Sequence, residues 1–456
     1  MVLISGNEQP PPDGRGLRVI VVGAGAAGIS AAFWLRRAGV HVQVLEADQQ
    51  AGGRVRTVAK DGYRFDVSAA ALPTTYKATL RLIDALGLRD EAQLRGAVIG
   101  ALRDDRVHRI ARRNPLTLLS ADHIPAKDKA SLWRLGVDLG RVFGSINYLD
   151  LGTAAKFDTR TVHEYCAENF PDSVRQNLLE PITRALLLTE PEQSSVVDLF
   201  AACRSLLVAG HLITHPEGVG FFLTRAAAQL DVTYGAHVTS VREEDGGVRV
   251  CWTVETSGEL HEQVVDATVL AVPASAAVAA YPEMDPAQRK YLENLMYSTS
   301  IVVSLGVARA PAETSSMVLI PRDIEPDLCV VGLGHNLAPD RAPAGGGVLT
   351  CYWMSEWSKR HFNDSDPELV EATTAKVNHL LPGWARDVRS SAVARWSPAL
   401  VASEVGTYAG LVDFHAHTNP EARIQLAGDY HAQSSVNASI AAGERAAEAL
   451  LRMPVS

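Results

Sequence analysis

Residues 17–22 (LRVIVV) form a short, unbroken apolar run that leads straight into Gly23, Gly25 and Gly28, spaced G-x-G-x-x-G. Such a run suits a central strand of a parallel sheet, covered on both faces. The following ISAAFWLRRAG has the apolar period of a helix and closes at Gly39, and a second strand, HVQVL at 41–45, ends in Glu46. Each residue type has a job in a dinucleotide-binding turn. Gly23 permits the tight turn, Gly25 lets the backbone approach a pyrophosphate, and Gly28 lets the helix pack closely on the sheet. The free N–H groups at the helix start, around Ala26 and Ala27, favour the pyrophosphate anion. Glu46, 18 residues after Gly28, is placed to accept both ribose hydroxyls of an adenosine, with Ala47 beside it, and repels a 2′-phosphate, which disfavours NADP. The glycine spacing alone is not specific. The strand before it, the helix after it and the acid ending the next strand make it so, against the rival reading of a glycine-rich turn in a nucleotide-free sheet.

A chain of 456 residues is too long for one ordinary core and predicts two domains or one domain with a large insertion. The composition, 47% hydrophobic and 21% charged, is that of a globular protein. A net charge of -9 argues against nucleic acid, because phosphate binding needs a concentrated basic surface; Arg112 and Arg113 read as a solvated face. The five cysteines have no CxxC pair, which argues against thiol redox chemistry and zinc and for reduced thiols in a cytoplasm. Residues 1–16 are polar and proline-rich, without the apolar run of a signal peptide, and read as a loose tail. No stretch approaches the roughly 18 continuous apolar residues of a membrane span; residues 195–214, interrupted by Asp198, Arg204 and His211, read as a buried helix.

After Glu46 the sequence continues to Gly52, Gly53 and Arg54. Here the chain resembles the flavin-containing amine oxidase superfamily, the group of amine oxidases, protoporphyrinogen oxidases and carotenoid-type desaturases. In that family a GGR segment contacts the pyrophosphate and flavin end of FAD. The chemistry suits it: the two glycines allow close backbone approach and Arg54 offers a planar fork of donors. The C-terminal part resembles the family's closing motif, with the turn Gly428-Asp429 followed by Ser435-Val436-Asn437 and an alanine-rich helix containing Gly443-Glu444-Arg445. By this resemblance Asp429 stands near the ribityl and phosphate, and the helix start near Val436 faces the flavin ring, where a helix N-terminus stabilises negative charge. The strand around Val238 resembles the one that meets the adenine, residues 268–273 resemble the strand returning to the FAD domain, and Pro216, Gly218 and Gly220 resemble, loosely, a further element of that region. No second G-x-G-x-x-G is present for a pyridine nucleotide.

The resemblance implies an α/β fold: a discontinuous Rossmann-like FAD-binding domain of the GR2 type in three segments, 17–80, 211–275 and 396–456, with a mixed α+β substrate-binding domain from 81–210 and 276–395. Residues 80–210 show mainly helical periodicity, and 276–395 mix strands (300–307, 347–353) with a helix at 367–381. The cofactor implied is FAD, and the absence of a cysteine beside Tyr408 argues against a covalent link. Residues 396–408 (WSPALVASEVGTY) resemble the family stretch that ends in an aromatic beside the flavin; Tyr408 is the expected catalytic-pocket residue, with a plain core aromatic as the alternative. The strand 297–304 lacks the lysine of many amine oxidases and looks more like the protoporphyrinogen oxidase pattern, and Ser68 stands where the family usually has glycine. His415, His417 and His431 lack organised acids and read as exposed loop histidines, so no metal is expected. Asp61, Arg64 and Asp66 read as surface turns and strand ends, while Trp353 and Trp357 suit core packing as well as pocket wall.

The expected activity is hydride abstraction from a C–N centre, amine or amide, of a largely apolar small molecule, with O2 as electron acceptor; the mixed motifs motivate a role in secondary metabolism. The alternatives are a protoporphyrinogen-oxidase-like desaturase acting on C–C bonds and a redox-neutral, FAD-dependent isomerase. Oligomeric state stays open, a homodimer included.

Overall fold

In the computed structural model, which describes residues 16–70, 72–96, 98–111, 122–208 and 210–453, the first apolar run becomes the middle strand, Arg18–Val22, of a five-stranded parallel sheet. Its neighbours are His41–Glu46 and Ala267–Leu270, and the edges are Asp231–Tyr234 and Ile424–Leu426. Val19 and Val21 enter one buried cluster and Ile20 and Val22 another. Both faces are covered, so the run has no polar alternation.

The helix Ala26–Arg37 lies against the C-terminal helix Val436–Leu451. Small residues make the approach possible. A Cβ on Gly443 would stand 2.0 Å from the carbonyl oxygen of Ala27, and one on Gly28 would stand 1.8 Å from that of Gly23. Ser30 Oγ donates to the Ile440 carbonyl at 2.8 Å, closing the contact.

A second sheet of seven strands runs in the order Val388–Trp396, Ser300–Val307, Gly347–Trp353, Leu328–Leu333, Met317–Leu319, Val98–Arg103 and Arg106–Ala111. The last two form a hairpin inside the stretch that reads as helical. Its strand Val98–Arg103 pairs in parallel with Met317–Leu319, a partner from the far half of the chain, so local periodicity carries little of the signal. The helices expected from periodicity form at Lys77–Ala85, Leu132–Val142, Val196–Val208 and Asp366–Leu380. Residues 195–214, however, are not one buried helix. The helix stops at Val208, Leu207 and Val208 are exposed, and Leu212–Thr214 is a strand between Leu72–Pro73 and Gln93–Arg95. Gly210 marks the break. A three-stranded antiparallel sheet, Ala236–Glu244, Gly247–Val254 and Leu260–Val265, completes the architecture. Among the described residues no helix is long and apolar enough to cross a membrane. Arg112, Arg113 and residues 1–15 of the expected tail lie outside the described residues.

Three distant segments meet at one ion pair. Arg341 Nη1 stands 2.5 Å from Asp66, with the two side chains 2% and 1% exposed. Arg341 Nη2 also donates to Thr214 Oγ1 at 3.0 Å and to the His215 carbonyl at 3.2 Å. Asp66 is therefore not a surface strand end; its cation comes from the far half of the chain. Replacing Arg341 by Met leaves the buried carboxylate without its partner and is expected to cost about 3–5 kcal/mol, read from the denaturation midpoint. Adding Asp66→Asn should recover part of that loss.

Candidate functional site

A cavity of about 770 Å³ lies where these elements meet, in the range that takes a large organic ligand. One end is lined by Gly23, Gly25, Ala26, Ala27, Glu46, Ala47, Gly52, Gly53, Arg54 and Val238, and the same cavity is lined by Gly428, Asp429, Ser435 and Val436. The helix Ala26–Arg37 starts without a side-chain cap, so its first N–H groups are free of one. The helix Val436–Leu451 is capped by Ser435, whose Oγ accepts from Ala438 N–H at 3.1 Å. Both helix N-termini, each with a positive dipole end, border the same space.

The loops between these points hold one another. Gly52 N–H donates to the Ala24 carbonyl at 2.8 Å, and a Cβ on Gly53 would lie 3.2 Å from Gly25 Cα. Glu46 accepts from Ala24 N–H at 2.5 Å and from Asp48 N–H at 2.8 Å. Burial pushes its carboxyl above the ordinary range, and these two N–H groups act against that shift. Arg54 Nη1 donates to Asp429 Oδ2 at 2.9 Å, joining positions 375 residues apart, and to the Ala399 carbonyl at 2.5 Å. Ser434 Oγ donates to the same Asp429 oxygen at 2.9 Å, and the Tyr297 hydroxyl to the other at 3.4 Å. At Gly25 a Cβ would meet nothing within 4 Å, so the bare backbone of the first turn faces open space. This is a cradle that fits the pyrophosphate of a dinucleotide.

The flavin containing amine oxidoreductase family matches the chain over residues 26–451. The chain belongs to this family. Over 76 residues it is 42% identical to the mitochondrial protoporphyrinogen oxidase of Nicotiana tabacum, a stretch that covers 17% of this chain and only 15% of that protein. Putrescine oxidase bound to putrescine has the same fold, with a TM-score of 0.76 at 19% identity over 95% of this chain and 99% of that one. Cyclohexylamine oxidase from Brevibacterium oxydans gives 0.71 at 19% identity, over 95% and 98%. The family is thus one of flavin-containing oxidoreductases.

Three predicted site residues of this flavin amine oxidoreductase do not line the cavity. Gly28 serves the helix–sheet contact. Asn437 Oδ1 accepts from Ala78 N–H at 2.9 Å and Thr79 N–H at 3.3 Å, capping the helix Lys77–Ala85. Tyr408 is 1% exposed; it enters the helix Thr407–Ala416 from Gly406, whose φ is 97°, and its hydroxyl donates to Asp198 Oδ1 at 2.5 Å and lies 3.0 Å from Ser403 Oγ. The pattern of glycine then aromatic is present, but the ring points to the support of Asp198 rather than to the cavity, and Asp198 takes the lining position.

Other side chains settle readings that were open or, at His431, depart from expectation. Trp353 and Trp357 stack at 3.8 Å within a core cluster, whereas Trp396 lines the cavity, its Nε1 donating to the Val67 carbonyl at 2.8 Å. His431 is not an exposed loop residue: it is buried, with Nε2 3.0 Å from the Leu426 carbonyl. Ser68 Oγ donates to the Arg54 carbonyl at 2.5 Å, bracing the arginine loop. Elsewhere His108, Asp122 and His123 gather their ligand atoms within 4.8 Å, but Asp122 is already paired with Arg106 at 3.0 Å.

Sequence reasoning also missed Tyr297, Arg341 and Asp198 as cavity or cradle residues. Arg341 and Asp198 sit in no recognisable motif, and Tyr297 opens a strand that stands out only for its missing lysine. The one signal for Asp198 was its acid in an otherwise apolar helical run. Burial is the main cause that pushes its carboxyl from 3.8 up to about 7, with the neighbouring Asp158 acting the same way and the Tyr408 and Ser403 hydroxyls acting against it. The folded state therefore holds this proton more tightly than the unfolded chain, so its contribution to stability is full below about pH 4 and is lost as pH rises through about 7. The Asp198→Asn variant escapes that loss. Its melting temperature relative to the parent should climb across this window and level off above it, as thermal melts at stepped pH will show.

Proposed function

We propose that this chain holds FAD without a covalent bond and oxidises a C–N bond, amine or amide, in a largely apolar small molecule, acting in the cytoplasm. One observation carries the reading: two helix N-termini and the Arg54–Asp429 pair, drawn from opposite ends of the chain, border one cavity whose remaining wall is mostly apolar. When bound, the flavin supplies a hydride acceptor that O2 can reoxidise. The chain's own residues supply place and field. The bare turn at Gly25 admits a pyrophosphate, Glu46 offers its remaining lone pairs to ribose hydroxyls, and the helix start at Val436 favours negative charge. Ile182, Leu187, Leu319 and Val330 keep the substrate side dry. No cysteine lines the cavity among the described residues, in keeping with a non-covalent cofactor.

A second reading, desaturation of a C–C bond, is favoured by the strand 297–304, which carries no lysine, and by the name of the Nicotiana relative. Mixing the protein anaerobically with apolar amines, amides and reduced porphyrin-type rings separates the two. Bleaching of the oxidised flavin band by amines or amides, with hydrogen peroxide on readmitting air, supports C–N oxidation. Bleaching by the rings alone favours the second reading, and turnover without bleaching or peroxide indicates a redox-neutral isomerase. Glu46→Ala should weaken FAD retention by on the order of tenfold, the size of one or two lost hydrogen bonds, measured as flavin content after gel filtration.

A further inference from the structure

The carboxylates that line the cavity are Glu46, Asp48, Asp66, Asp198 and Asp429. Asp48 is paired with Arg56 at 2.5 Å, Asp66 with Arg341 at 2.5 Å and Asp429 with Arg54 at 2.9 Å. Glu46 accepts two backbone N–H groups. Asp198 differs from these in having neither a cation nor a backbone N–H among the groups that act on it. It is 7% exposed, its Oδ1 takes the Tyr408 hydroxyl, and its Oδ2 is buried with no hydrogen-bond partner. The groups that act on it are Tyr408, Ser403 and Asp158, and no cation is among them.

We infer that Asp198 recognises a cationic nitrogen of the substrate, the ammonium group of a largely apolar amine, through its free Oδ2. Asp198 sits in the first turn of the helix Val196–Val208, and Ala201, Ala202 and Ser205 of that helix line the same cavity. Positions three and four apart share a helix face, so the carboxylate belongs to the lining face. Its orientation is held from behind. Asp158 accepts from Gly406 N–H and Tyr408 N–H at 2.9 Å each and from Ser195 Oγ at 2.7 Å, locking the turn that presents the Tyr408 hydroxyl. A buried carboxylate oxygen with no partner is strongly unfavourable unless it holds a proton or a counter-charge reaches it. An ammonium group supplies that charge and a charge-assisted hydrogen bond, and its proton passes to Asp198 before a hydride leaves the neighbouring carbon, while the hydrocarbon lies along Ile182, Leu187 and Val330. A neutral ring system would leave the oxygen as it is. This inference rests on the amine reading proposed above for the substrate class.

The test uses the flavin-loaded protein, with heptylamine and heptanol as probes of equal length. Binding is read anaerobically from the shift of the oxidised flavin band immediately after mixing and, independently, by calorimetry. The parent should bind heptylamine about tenfold or more tightly than heptanol, as a charged hydrogen bond at a dry site implies. Asp198→Asn should remove that preference and leave heptanol binding unchanged, and Asp198→Ser provides a second variant should the first hold less flavin. Equal binding of the two probes by the parent, or an amine preference retained in the variants, overturns the inference. If heptylamine bleaches parent and Asp198→Asn with the same half-saturation, the role of Asp198 falls while amine oxidation stands. If the amine preference depends on Asp198 but no amine bleaches the flavin, Asp198 stands and the oxidation reading falls.

Discussion

The contact between the helices Ala26–Arg37 and Val436–Leu451 decides where everything else in the molecule stands. Gly443 against the Ala27 carbonyl, with Ser30 bonded to Ile440, leaves no room for larger side chains. Two helices that start at opposite ends of the sequence can therefore lie close together and begin at one cavity. A free helix start is electrostatically useful only over about one turn, so two such ends act on one ligand only if the helices pack this closely. The strands Arg18–Val22, Ala267–Leu270 and Ile424–Leu426 provide the floor that makes the packing possible.

Charge around the cavity follows a consistent rule. Arg54 and Arg341 are each held by a carboxylate from a distant segment, which fixes the loops while leaving little net charge on the wall. Arg54–Asp429 joins the loops that follow two strands of the parallel sheet, and Arg341–Asp66 joins the strand Tyr63–Asp66 to the segment after Leu328–Leu333. Asp198 stands outside this rule, its Oδ1 held by the Tyr408 hydroxyl instead of a guanidinium.

Much of the nucleotide cradle was legible because its physics is local. Gly23, Gly25 and Gly28 must follow a strand and open a helix, Glu46 must end the next strand, and Gly52 and Gly53 must allow a second loop to touch the first. All of these are statements about neighbours in sequence. Tyr408 and Asn437 show the limit: each sits in the expected motif, yet their side chains point to Asp198 and to the helix Lys77–Ala85, because direction depends on what packs alongside. Asp66 is a similar case. Nothing near it in sequence announces burial, since its partner Arg341 belongs to another segment. The hairpin Val98–Arg103 with Arg106–Ala111 was hidden for the same reason, its place in the sheet being set by Met317–Leu319.

The sequence by itself determined the parallel sheet, the glycine-lined turn, the acid that ends its second strand and the kinship of the chain's two ends, because backbone freedom, strand burial and helix period are properties of short segments. Only the tertiary structure decided which charges are neutralised, which aromatic faces the cavity and which carboxylate is left with a free oxygen. Those outcomes depend on pairs of groups hundreds of residues apart, and a Coulomb or hydrogen-bond partner has no signature in the sequence around either member.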